Sequence, residues 1–79
     1  MSYRIAFSPE CERAVRDLSS RQRADLDRGM AAVANDPYGC GSSQTYHKDR
    51  REVTCGSVIA EYIVSAGVLT ITVVRVQGI

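Results

Sequence analysis

The segment TYHKDRRE, Thr45 to Glu52, gathers most of the chemistry-bearing side chains of this sequence. It contains the single histidine, His47, next to Lys48, Arg50 and Arg51, with the carboxylates of Asp49 and Glu52 interleaved. An unperturbed imidazole titrates near neutrality, so His47 is the first candidate for moving a proton. Glu52, or Glu61 further along, can serve as a base in its place. Arginine binds two oxygens of a phosphate through its planar fork, which makes Arg50, Arg51 and the later Arg75 candidate anion clamps. Lys48 adds a point charge, and Tyr46 offers a ring on which a base can stack. The same residues also read as a solvated loop with local pairs such as Lys48–Asp49 or Arg51–Glu52, each contributing only ~0–1 kcal/mol. Tyr62, between Glu61 and Ile63, reads as a structural core-edge residue.

These side chains need elements to hold them. Seventy-nine residues allow one domain, spanning 1–79, with a single core. Such a chain buries roughly 60% of its unfolded surface, so it is marginally stable and gains from a partner that binds the folded state. Hydrophobic residues at 44% and charged residues at 24% exclude a disordered tail. The net charge of +1 excludes a general electrostatic attraction to nucleic acid or membrane and leaves only local patches. The start MSYRIAFSPE lacks the pattern of a signal peptide, and no apolar run approaches the ~20 residues of a membrane span; the expected location is the cytoplasm. Cys11, Cys40 and Cys55 are odd in number and form no C-x-x-C pair. Cys40, His47 and Cys55 can be drawn as metal ligands, but Cys11 and Cys55 fall on expected buried faces, where cysteine acts as a small hydrophobe. No metal or cofactor is expected.

Tyr3, Ile5 and Phe7 alternate with Arg4, Ala6 and Ser8, the period-2 pattern of a half-buried strand. Ser8 then offers an N-cap oxygen and Pro9 suits the first helical position. Glu10 and Glu12 favour the positive end of the helix dipole. Cys11, Ala14, Val15 and Leu18 form its apolar stripe, ending near Ser19. Ser19 and Gln22 have capping-box spacing for a second helix, whose stripe is Leu26, Met30, Val33 and Ala34 and whose stop is Asn35-Asp36-Pro37. So short a connection folds the helices back as an antiparallel hairpin. Arg21, Arg23, Asp25, Asp27 and Arg28 read as its solvated surface.

Residues 38–49 lack periodicity and read as loop. GCGSS is not a phosphate loop, because no helix follows it and the lysine spacing is wrong. From Arg50 onward the chain reads as strand: RREVTC, a turn at Cys55-Gly56-Ser57, VIAEYIVS, a turn at Ala66-Gly67, and VLTITVVRV. Strict alternation puts Arg51, Val53 and Cys55 on one face and Arg50 and Glu52 on the other. In the last strand it puts Leu69, Ile71 and Val73 on the face of Arg75, with Val68, Thr70, Thr72, Val74 and Val76 opposite. The expected fold is α+β in two layers: an N-terminal strand, an antiparallel helical hairpin, then a three-stranded antiparallel meander, in the order β-α-α-β-β-β.

YRIAFSPE, the helical hairpin ending in NDP, the glycine-bearing polar loop, RREV and the hairpin VIAEYIVSAGVLTITVVRV together resemble the RelE/ParE superfamily of bacterial toxins. The resemblance covers nearly the whole chain and rests on element order plus these short cues. It implies the toxin of a type II toxin–antitoxin system, neutralised by a cognate antitoxin that covers apolar grooves and a sheet edge, and an antiparallel sheet with its first strand beside its last. It also implies one of two activities. RelE-like members are metal-independent endoribonucleases that enter the ribosomal A site and cut messenger RNA; ParE-like members inhibit DNA gyrase. The RelE-like activity is the leading expectation. A gyrase toxin is the alternative, as is an inactive member that keeps only antitoxin binding.

Arg50 and Arg51 match the basic second-strand positions of RelE-like members. At the start of the third strand, where many relatives carry an arginine, this chain has Ser57, Val58, Ile59 and Ala60. The sequence ends at Gln77-Gly78-Ile79, without the usual C-terminal catalytic segment, and Arg75 is its late cation. His47, Arg50, Arg51, Glu52 and Arg75 are therefore the expected catalytic set, with Lys48 and Tyr46 as RNA contacts. The expected partners are the antitoxin, with ribosome and messenger RNA or with gyrase. A dimer or a toxin–antitoxin hetero-oligomer is compatible with this size.

Overall fold

The computed structural model describes residues 2–78. Its elements run β1 (Arg4–Phe7), α1 (Pro9–Asp17), α2 (Ser20–Asn35), β2 (Ser43–His47), β3 (Arg50–Cys55), β4 (Val58–Ser65), a 3-10 turn (Ala66–Val68) and β5 (Thr70–Gly78). The caps are those the sequence requires. The Ser8 hydroxyl accepts from the Cys11 amide at 3.3 Å with Pro9 opening α1. Ser19 and Gln22 close a reciprocal capping box on α2, at 3.0 and 3.1 Å. Each such cap satisfies N–H groups that a helix start leaves without intrahelical partners.

The five strands form one sheet in the order β1-β5-β4-β3-β2. The α+β, two-layer expectation holds, with two changes. The segment read as loop contributes a strand, β2, so four antiparallel strands follow the helices rather than three. All five β2 residues are exposed, so it has no apolar alternation to announce it and is held by its ladder to β3. The first strand does lie beside the last, but parallel to it, with Ile5 opposite Ile71 and Phe7 opposite Val73. Hairpin turns define direction only between strands adjacent in sequence, and these two lie at opposite ends of the chain.

Both helices cover one face of the sheet, α1 over β5 and α2 over β3 and β4. The core between the layers holds Cys11, Leu26, Met30 and Val33 from the helices, and Val53, Cys55, Val58, Ala60, Tyr62, Val64, Ile71 and Val73 from the sheet. At Gly29 α2 comes close to the sheet, and an added Cβ there would run into the Cys55 side chain. Cys11 and Cys55 are buried as small hydrophobes, and burial pushes the Cys55 thiol pKa up. Among the described residues no group of three or more potential ligands is placed to hold a metal. No helix is long and apolar enough to cross a membrane.

Asp25 leaves the solvated role assigned to it by the charge pattern. From α2 its carboxylate accepts from the Ser57 amide at 3.1 Å and the Ser57 hydroxyl at 2.7 Å, fixing the β3–β4 turn in which Gly56 takes φ +59°. These bonds hold its carboxyl below the ordinary aspartate value. A folded-state pKa below the unfolded one adds stability above the unfolded value, and that gain is lost as pH falls through the folded value. Asp25→Asn should therefore melt below wild type at pH 7. The gap should narrow as pH drops below about 4, which thermal melts at pH 7 and pH 3 check.

Candidate functional site on the open sheet face

The register of the β3–β4 hairpin decides which side chains meet. The tight turn at Gly56-Ser57 pairs Cys55 with Val58, and counting back sets Glu52 against Glu61, Arg51 against Tyr62 and Arg50 against Ile63. Side chains alternate, so Arg51, Val53 and Cys55 join Tyr62, Ala60 and Val58 under the helices. Arg50, Glu52, Ile59 and Glu61 stand on the other face, which carries no helix among the described residues. The open face is thus the one bearing Arg50 and Glu52.

Arg75 reaches this face because of a β-bulge. Glu61 pairs with Arg75, yet the next residue, Tyr62, pairs with Val73, so Val74 is an extra residue in β5. Ile71 and Val73 point into the core, and the inserted residue inverts the alternation so that Arg75 faces outward. The expectation that Arg75 shares a face with Ile71 and Val73 fails for this reason, and nothing in the run of β-branched residues marks the bulge. Leu69, expected on that same face, lies outside β5 and closes the turn in the left-handed region at φ 49°.

Glu52, Ile59, Glu61, Arg75 and Gln77 line a shallow depression on the open face. Glu61 forms its floor at 6% exposure, the buried charged residue among the described ones. Its charge is compensated: Arg50 Nε donates to Glu61 Oε2 at 2.5 Å. The Arg50 guanidinium carbon lies over the Tyr46 ring, 5.5 Å from the ring centroid. Arg75 Nη2 donates to Gln77 Oε1 at 3.2 Å, and Glu52 is exposed. His47 pairs with Arg50 across β2 and β3, at the rim of this face. Its imidazole is largely exposed, and Nδ1 accepts from the Asp49 amide at 3.2 Å. That bond leaves Nε2 as the protonated nitrogen of the neutral ring. Lys48 sits exposed at the hairpin tip.

Arg51 is placed elsewhere. Its Nε donates to Ser42 Oγ at 2.7 Å, and Nη2 donates to the Ser42 and Tyr38 carbonyls at 3.0 and 3.3 Å. Its guanidinium also lies 5.5 Å from the Tyr38 ring centroid. Ser42 in turn donates to the Pro37 carbonyl at 3.1 Å, which also receives the Tyr62 hydroxyl at 2.5 Å. Tyr38 donates to Asp49 Oδ1 at 2.7 Å, and this bond is the main cause of its raised pKa. The network ties segment 37–49 to the sheet, and Arg51 serves as its clamp on the face opposite the depression. Tyr62 is structural, fully buried, with burial pushing its hydroxyl pKa well up. Tyr62→Phe leaves a weaker anchor for Pro37 and should cost about 1 kcal/mol, seen as a drop of roughly 4–8 °C in melting temperature.

The structure therefore brings Arg50, Glu52, Arg75 and Glu61 onto one face, with His47, Lys48 and Tyr46 at its rim, and sets Arg51 apart. The Arg50–Glu61 pair escaped the sequence reading although the two-residue turn contained the register that predicts it. Chemically, the face offers two guanidinium groups for an anion, and an exposed carboxylate and imidazole for moving protons.

No protein-family model matches the sequence, and no curated protein matches it. Solved structures do. A doubly substituted form of the E. coli toxin RelE, bound to a peptide of the antitoxin RelBc, has 18% identity and a TM-score of 0.85, covering 100% of this chain and 85% of that one. The toxin–antitoxin complex RelBE2 of Mycobacterium tuberculosis has 15% identity and a TM-score of 0.87, covering 100% of both chains. The archaeal RelE–RelB complex of Pyrococcus horikoshii has 13% identity and a TM-score of 0.79, covering 99% and 96%. At such identities the likeness carries architecture, and the architecture of this chain is the RelE toxin fold.

Proposed function

We propose that this chain is a single-domain toxin of a type II toxin–antitoxin pair, acting in the cytoplasm by cutting messenger RNA on the ribosome. The observation that carries this reading is the convergence of Arg50, Arg75 and Glu52 on the open sheet face, with His47 at its rim, in a fold shared with RelE toxins. In this mechanism a ribose 2′-oxygen loses its proton to Glu52 and attacks the adjacent phosphorus. The P–O5′ bond breaks, and the departing 5′-oxygen takes a proton from His47. The products are a 2′,3′-cyclic phosphate and a 5′-hydroxyl. Arg50 and Arg75 hold the charge that gathers on the phosphoryl oxygens. Tyr46 and Lys48 contact the flanking RNA, while Arg51 anchors the segment 37–49 that includes His47.

The proposed antitoxin seat is the groove between α1 and β5, lined by Glu10, Cys11, Ala14, Val74, Arg75 and Val76. β1 pairs only with Thr70–Val73, so the outer edge of β5 from Val74 onward has no strand beside it among the described residues. An extended or helical antitoxin segment can cover both.

A second reading draws on the charge balance of the open face. Arg50 and Arg75 are matched there by Glu52 and Glu61, and the whole chain carries only +1. That balance suits a toxin whose target is a protein, such as gyrase, or an inactive antitoxin binder. Induced expression with mapping of messenger-RNA 5′ ends separates these. The nuclease reading expects growth arrest with cuts inside coding regions that disappear in Arg50→Ala and weaken in His47→Ala. Arrest with intact messages and gyrase-dependent DNA breaks would replace it with the second reading, and unimpaired growth would leave antitoxin binding alone.

A further inference from the structure

We infer that Glu61 and Tyr46 are positioning residues that hold Arg50 as a preformed fork for a phosphodiester oxygen pair, an inference that rests on the nuclease reading and gives its anion site a geometry. A surface arginine is ordinarily mobile about four torsions, and binding an anion then requires ordering it. Arg50 is ordered in advance. Its Nε is bonded to the Glu61 carboxylate at 2.5 Å, and that carboxylate is itself buried. The guanidinium carbon also lies over the Tyr46 ring at cation–π distance, 5.5 Å from the ring centroid. Among the described residues, Nη1 and Nη2 donate to no protein group, so the edge that binds two oxygens is the one left open.

The anchor uses the nitrogen that a bidentate anion contact through Nη1 and Nη2 does not need, so the carboxylate and the phosphate do not compete for one donor. Arg75 stands opposite Glu61 in the β4–β5 register and lines the same depression, so it adds a second cation that offsets the carboxylate's repulsion of an incoming anion. His47 and Lys48 add rim groups, and Glu52 is the opposing charge. Glu61 therefore acts through Arg50 and not as a base.

The test is binding of a fluorescent 2′-O-methyl RNA hexamer, which lacks the attacking hydroxyl and cannot be cut. Glu61→Ala should weaken binding roughly tenfold, and Glu61→Gln, which keeps an oxygen for Arg50 Nε, should recover most of that loss. In an Arg50→Ala background neither substitution should weaken binding any further. Tighter binding by Glu61→Gln would make Glu61 a competitor and overturn the inference. A loss that persists without Arg50 would make its role merely structural and overturn it equally. Arg50-dependent binding with no message cleavage in cells would remove the nuclease reading and leave the fork. If the hexamer does not bind, inorganic phosphate is titrated while the Arg50 Nε–Hε resonance is followed by NMR. A shift abolished by Glu61→Ala supports the fork for a smaller anion; no shift overturns it.

Discussion

Arg50→Ala is expected to lower RNA cleavage by about a hundredfold or more, the usual loss when one group stabilising transition-state charge is removed. The neighbouring Arg51→Ala is expected to act differently, because adjacent strand residues point to opposite faces. Arg50 is bonded to Glu61 on the open face, whereas Arg51 is spent on Ser42, Tyr38 and the loop. Arg50→Ala strands a carboxylate at 6% exposure, which destabilises. Arg50 itself is 38% exposed, so truncating it opens a path for water to the orphaned carboxylate, and the stability cost should stay near 1 kcal/mol. Arg51→Ala instead breaks several loop contacts, and its melting temperature should fall further while residual activity tracks the folded fraction. Arg50→Lys should fall between wild type and Arg50→Ala, since it keeps the charge and loses the fork. Cleavage rates and melting temperatures on the same preparations check all three. Equal rate losses in Arg50→Ala and Arg51→Ala at equal folded fractions would contradict the assignment of faces.

Gly29→Ala is expected to destabilise the protein by about 1–3 kcal/mol, against the direction that helix propensity alone predicts. Glycine inside a helix is worth roughly 1 kcal/mol less than alanine, so by propensity the substitution should help. The Cβ it adds, however, points into the Cys55 side chain, where α2 approaches β3. The sheet cannot retreat cheaply, because Asp25 of the same helix grips the β3–β4 turn through Ser57. An exposed control on the same helix, Asp27→Ala, should stay within about 0.5 kcal/mol of wild type. Denaturant melts of the two variants decide the matter, and a stabilised Gly29→Ala would show that the packing distance is not limiting.

What was legible in the sequence followed local rules. Ser8-Pro9 and Ser19-x-x-Gln22 marked both helix starts because capping is decided within four residues. The opposite faces of Arg50 and Arg51 followed from the period of a strand, and the burial of Cys55 from its place on an apolar face, whereas Tyr62, expected at the core edge, is fully buried. What stayed hidden depended on distant partners. β2 carries no buried residue, so its strand character comes from the β3 edge it joins. The direction of β1 is set by β5, at the other end of the chain. The Val74 bulge, which turns Arg75 onto the open face, is a mismatch between two strands that no single strand records. Asp25 looked like one more surface charge until the fold set Ser57 beneath it. The pairing of Arg50 with Glu61 was within reach, since the Gly56-Ser57 turn defines the register that juxtaposes them.

Cleavage of a defined messenger on programmed ribosomes by the purified chain, read by primer extension and by the chemistry of the new ends, tests the nuclease reading most directly. The prediction is a cut in the A-site codon that leaves a 2′,3′-cyclic phosphate and is lost in Arg50→Ala. A message that stays intact on ribosomes saturated with the folded wild-type protein would contradict it.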